Sequence, residues 1–134
     1  LIFVDTGAFV ARWMARDQHH AAAVRGWRRV AEQRLACVTT NHIVDETLTL
    51  LGRRAGHSFA AEKGATLLTS EALAIVRPGR EDELAALALF EKYADQRVSF
   101  TSCLSFVTMR QRGLARAFTF DGHFRLVGLT VWPA

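Results

Sequence analysis

Proline, cysteine, methionine and lysine are all scarce in this chain of 134 residues, with two of each, and tyrosine occurs once. Pro78 and Pro133 form no linker, and no repeat or low-complexity tract interrupts the chain, so a single domain over residues 1–134 is expected. Cys37 and Cys103 lie far apart, each beside apolar residues. A small secreted scaffold would need more cysteines, so these are expected to be buried thiols in a reducing, cytoplasmic setting. No apolar run approaches the roughly 18 residues that a membrane helix needs. The opening Leu1-Ile2-Phe3-Val4 is cut off by Asp5 with no basic stretch before it, unlike a signal peptide. The first residue is Leu1 rather than methionine, which points to a processed or trimmed start.

What is abundant is arginine. Of 17 basic residues only Lys63 and Lys92 are lysine, and the net charge is +4. Arg12, Arg16, Arg25, Arg28, Arg29 and Arg34 crowd the first quarter, and Arg53 and Arg54 follow. A planar guanidinium fork suits phosphate or carboxylate, so a nucleic acid or an acidic protein is the expected partner. Ordinary solvated faces of a GC-biased coding sequence give the same composition, and net charge alone does not choose.

Short apolar runs alternate with longer helix-patterned stretches, the mark of an α/β domain with a mostly parallel sheet. Strands are expected at 2–4, 37–39, 74–76, 117–120 and 130–132. Helices are expected after Gly7, over 20–34, from Thr40 or Asn41 to Arg54 with a stop at Gly56, and over 58–69. Leu84, Leu87, Phe90 and Ala94 mark the apolar stripe of the next helix. Another, capped by Ser99 or Thr101 and running to Arg112, has apolar residues so widely spread around it that burial at the centre is expected.

Two strands run into a carboxylate, Asp5 after Phe3-Val4 and Asp121 after Phe118-Thr119-Phe120. The carboxyl ends of parallel strands form the ligand-binding rim of an open sheet. If the two strands are neighbours, the acids share a small space, and a hard divalent cation relieves their repulsion. Metal-assisted phosphodiester hydrolysis follows from such a site. Either acid can equally cap the helix that follows it. Glu46 and Asp45 fall on opposite margins of the apolar face of their helix, and periodicity does not choose between them. His123 reads as structural or surface, His19-His20 as a helix start, and Trp13 and Trp27 as helix-face core or dimer contacts.

Four segments, in order, resemble the motifs of PIN-domain ribonucleases, and most closely their VapC-like branch, the toxin half of bacterial toxin–antitoxin pairs. They are Phe3-Val4-Asp5-Thr6-Gly7-Ala8-Phe9-Val10-Ala11, then Thr39-Thr40-Asn41-His42-Ile43-Val44-Asp45-Glu46-Thr47, then Tyr93-Ala94-Asp95 through Val98-Ser99-Phe100-Thr101-Ser102-Cys103-Leu104-Ser105-Phe106, and Ala117-Phe118-Thr119-Phe120-Asp121-Gly122-His123-Phe124. The resemblance implies a three-layer α/β/α sandwich around a central, mostly parallel sheet. It implies Mg²⁺ or Mn²⁺ in an acidic pocket, endonucleolytic cleavage of RNA, a homodimer, and a VapB-like antitoxin as partner. Asp5 and Asp121 match metal-coordinating acids, and Glu46 matches the acid that positions metal or water. Thr6 and Ser99 match supporting polar residues.

The third motif departs from the family. It normally reads Ser-x-x-Asp, and here it reads Ser99-Phe100-Thr101-Ser102. A neutral hydroxyl is a weaker ligand for a hard cation, so weakened activity is expected. Asp95 compensates only if its loop folds back. Three readings stand: a weakened nuclease, a natural pseudo-nuclease that binds an antitoxin-like partner or RNA without cutting, or an introduced inactivating change. A phosphorylated receiver domain also has acids at strand ends, but it needs a lysine near the last strands, and Lys63 and Lys92 fall in helical stretches elsewhere.

Overall fold

The structure, a computed structural model, describes residues 1–133. Strands β1 (Ile2–Val4), β2 (Cys37–Thr40), β3 (Leu73–Val76), β4 (Arg116–Phe118) and β5 (Thr130–Trp132) form one sheet in the order β3-β2-β1-β4-β5. Every pairing is parallel. The helices are α1 (Thr6–Trp13), α2 (His20–Glu32), α3 (Asn41–Ala55), α4 (His57–Thr69), α5 (Arg80–Lys92), α6 (Phe100–Gln111) and α7 (His123–Leu126). Right-handed crossovers lay α1 to α4 on one face and α5 to α7 on the other, because the path reverses direction after β3. This is the expected three-layer sandwich. The sheet is wholly rather than mostly parallel among the described residues.

The local reasons are those the sequence announces. Thr40 caps α3 by accepting from the Ile43 N–H at 3.2 Å, and Ser99 caps α6 by accepting from the Ser102 N–H at 3.1 Å. Gly56, at φ +92°, ends α3 in a conformation that side chains resist. The two faces of the sheet are filled by aromatics of opposite orientation. Phe3 meets Phe124 of α7, which stands edge-on to Phe106 of α6. Phe118 points the other way, to Trp27 of α2 and to Trp132. In α6 every residue from Ser102 to Met109 is buried, as its all-round apolar pattern requires. Cys37 and Cys103 are free and buried, and desolvation raises both thiols above their usual pKa.

Three details differ from expectation. Strand β4 ends at Phe118 instead of Phe120, because its ladder partner β1 ends at Val4 and turns into α1. The short α7 and a 3₁₀ turn at Ala94–Gln96 carry too few residues to announce themselves by periodicity. The Leu84, Leu87 and Phe90 stripe faces outward, with Leu84 57% exposed, while α5 buries the small Ala86 against its neighbours. No helix of the described residues is long and apolar enough to cross a membrane.

Helix α2 approaches the sheet closely through Gly26, where an added Cβ would lie 2.4 Å from Phe118 Cζ. Gly26→Ala should therefore destabilise the fold by about 1–3 kcal/mol through overpacking, outweighing the better helix propensity of alanine. Denaturant unfolding measures this, and an unchanged midpoint would show that the ring can move aside.

Candidate active site at the carboxyl rim

The strand order reverses between β1 and β4, and β1 and β4 are direct neighbours. Ligands of open parallel sheets bind at this switch point, outside the carboxyl ends of the strands. Asp5 follows β1 here and Asp121 follows β4, and both line an open pocket of about 450 Å³. Backbone bonds fix the position of Asp5. Its N–H donates to Phe118 O at 3.0 Å, and the Thr39 hydroxyl of β2 donates to the preceding carbonyl, Val4 O, at 2.8 Å.

Asp5 occupies the N-cap position of α1 but its side chain makes no capping bond. The capping explanation fails for it, and the carboxylate turns to the pocket instead. The Thr119 hydroxyl donates to Asp5 Oδ2 at 2.7 Å and accepts from the Asp121 N–H at 3.0 Å. For Asp121 the capping explanation holds in part. Its Oδ1 accepts from the His123 N–H at 2.9 Å and lies 3.1 Å from His123 Nδ1. His123 thus orients Asp121 and does not itself line the pocket.

The structure chooses between the two acids of α3. Glu46 lines the pocket, whereas Asp45 is exposed on the helix flank. Ser99 and Ser102 reach the pocket from α6, and the Ser99 hydroxyl donates to Ser102 Oγ at 3.0 Å. Thr6 also lines it, with its Oγ1 buried and without a hydrogen-bond partner. Asp95 is exposed in the 3₁₀ turn and does not line the pocket, so the loop does not fold back to supply a carboxylate. Sequence reasoning missed Thr119, Asp17 and His19. Thr119 carried the one available signal, a lone hydroxyl between two phenylalanines. Asp17 and His19 arrive from the turn before α2 with no local mark.

Burial raises the Asp5 carboxyl from its usual 3.8 to about 6. Hydrogen bonds from Thr119 and the Thr6 backbone pull it down, and the charges of Asp121 and Glu46 push it further up. Among the described residues no three His, Cys, Asp or Glu side chains gather closely enough to hold a metal ion by themselves. Two carboxylates with hydroxyls and water suit Mg²⁺ or Mn²⁺, which keep several waters, better than Zn²⁺. The unpartnered Thr6 Oγ1 offers a hydrogen bond to such a water. A separate apolar cleft of about 250 Å³, walled by Trp13 and Trp27, contains no acidic group.

An acid with a raised folded pKa favours the folded state only while protonated. Its advantage is complete below pH 3.8 and disappears as the pH rises through about 6. At pH 7.5 in chelator, Asp5→Asn should therefore be about 2–3 kcal/mol more stable than the parent chain. The gap should shrink to less than half by pH 4.5, and Mg²⁺ should raise the melting temperature of the parent chain alone. Equal stabilities across this range would show that burial does not perturb Asp5.

Residues 2–129 match the family described as PIN domain. The chain is 34% identical over 128 residues to the 23S rRNA-specific endonuclease VapC20 of Mycobacterium tuberculosis, covering 96% of this chain and 95% of that one. It is 29% identical over 136 residues to a VapC ribonuclease of Archaeoglobus fulgidus, covering 98% of this chain and 85% of the relative. The crystal structure of the M. tuberculosis VapC20, a sarcin–ricin loop cleaving toxin, matches with a TM-score of 0.85 at 31% identity, covering 97% of each chain. With a parallel sheet in this order and acids at its switch point, the chain belongs to the PIN domain family, in its VapC branch.

Proposed function

We propose that this protein is a divalent-metal-dependent endoribonuclease of the toxin type. The observation that carries the reading is the convergence of Asp5, Glu46 and Asp121, from three separate elements, on one open pocket at the switch point. Asp5 and Asp121 would hold Mg²⁺ or Mn²⁺. The cation, when bound, supplies an activated water and neutralises phosphoryl charge. Thr119 holds Asp5 Oδ2 through its 2.7 Å bond and so fixes the orientation of the carboxylate. Glu46 would orient the attacking water and accept its proton. Ser99 and Ser102 line the wall as neutral hydroxyls. The basic side chains of Arg53 and Arg54 near the end of α3 would meet the RNA backbone, so binding should weaken with salt.

The two VapC20 relationships support 23S rRNA, and its sarcin–ricin loop in particular, as the RNA to try first. A VapB-like antitoxin in the cytoplasm is the regulatory partner in this reading. A homodimer is supported by the outward stripe of α5, where Leu84, Leu87 and Phe90 are 57%, 52% and 43% exposed.

Ser102 favours a second reading, a module that binds without cutting. Its side chain is only 6% exposed and lines the pocket where the family motif has an acid. Cleavage of a sarcin–ricin hairpin in Mg²⁺ or Mn²⁺ decides between them. Ser102→Asp should cut at least about tenfold faster than the parent chain at sub-saturating Mg²⁺, by adding an anionic oxygen ligand. Asp5→Asn should abolish cutting in both. Equal rates for the parent chain and Ser102→Asp would show that Ser102 does not limit the site. No cutting by either, with an antitoxin-like partner still bound, would establish the second reading.

A further inference from the structure

The acidic pocket has an aromatic wall that the ribonuclease reading does not use. The rings of His19 and Phe120 lie face to face, 4.4 Å between centroids and 2° from parallel. Both line the pocket with Asp5 and Asp121, and Phe120 immediately precedes Asp121. The inner ring is anchored. Phe120 stands edge-on to the fully buried Phe118, with centroids 6.2 Å apart, and packs over Gly7, where an added Cβ would meet its Cδ2 at 3.5 Å. The outer ring is braced. Asp17 Oδ1 accepts from the His19 N–H at 2.8 Å, and Asp17 Oδ2 lies 3.7 Å from Arg54 Nη1 of α3. Among the described residues no second aromatic ring packs on His19.

The geometry points to His19 and Phe120 as a stacking platform for an unpaired nucleobase beside the phosphodiester bond to be cut. This rests on the ribonuclease reading and narrows its substrate to RNA whose base at that position is out of the helical stack. Sequence-specific recognition of RNA targets such splayed bases, and aromatic or imidazole rings hold them by their faces. The surroundings favour RNA over a protein side chain. The depression beyond Asp17 and Arg54 adds Arg16, and the one beyond Glu46 and Leu50 adds Arg53 beside Asp45. Arginines thus stand on both sides of the pocket acids, as a phosphate backbone crossing the pocket requires. Arg54 is half exposed and lines the same pocket as the two rings.

The test separates the platform from catalysis. The full chain carrying Asp5→Asn is titrated with a synthetic sarcin–ricin loop hairpin in which 2-aminopurine replaces each loop base in turn. Stacking on a ring quenches this fluorophore. Quenching at one position, lost in His19→Ala together with about a tenfold to hundredfold fall in affinity, is the expected result. His19→Phe, which keeps the flat ring, should restore both. In the cutting chain, His19→Ala should raise KM more than it lowers kcat. If His19→Ala leaves quenching and affinity unchanged, or lowers affinity without changing the quenching, the platform is overturned while parent-chain cleavage still upholds the ribonuclease. If the parent chain cuts no RNA but the His19-dependent quenching is present, the platform stands and the ribonuclease reading fails. Absence of RNA binding by either chain overturns both.

Discussion

The hydroxyl of Thr119 donates to Asp5 Oδ2 and accepts from the Asp121 N–H, tying together two strand ends 114 residues apart. The candidate chemistry at the rim depends on this bridge. Asp5 is buried with a raised pKa, an arrangement that destabilises its ionised form. A hydrogen bond from a buried hydroxyl offsets part of that penalty and fixes which oxygen remains available. The bridge exists because β4 stops at Phe118. Were Thr119 still in the ladder, its backbone would pair with a neighbour. Freed from the ladder, the segment from Thr119 to Asp121 curls over the start of α1 and turns its polar atoms to Asp5.

The rest of the fold holds this rim still. The flat faces of the sheet are sealed by aromatics, Phe3 on one side and Phe118 on the other. With both faces covered, the carboxyl edge is where β1 and β4 reach solvent. Helix α6, buried from Ser102 to Met109, brings its N-terminal turn to that edge. Its cap, Ser99, spends its hydroxyl hydrogen on Ser102, so this corner of the pocket is neutral and internally satisfied. The pocket thus has carboxylates arriving from the ends of β1 and β4 and from α3, and only hydroxyls arriving from α6.

Helix α3 serves two purposes along one side. Glu46 reaches the acids, and Arg53 and Arg54 lie about two turns further on, so charge changes sign along the groove. Arg54 also braces the turn that carries His19 through Asp17. A residue that reads as generic positive charge thereby links α3 to the position of an aromatic ring at the pocket.

Local signals in the sequence suffice for the longer elements, the fold class and two of the pocket acids. Its alternating apolar runs, its caps at Thr40 and Ser99, and its stop at Gly56 are local signals, decided by backbone hydrogen bonding within a few residues. Asp5 and Asp121 were legible because each cuts off a short apolar run. Tertiary structure alone decided the matters that depend on contacts between distant segments. It selected Glu46 over Asp45, since both sit on margins of the same apolar face and only packing against the sheet breaks that tie. It kept Asp95 away, brought His19 onto Phe120, and turned the α5 stripe outward to let Ala86 pack closely. Periodicity reports that a helix has an apolar side. Which side meets the core depends on the shape and size of what lies opposite, and that is set by residues far away in the chain.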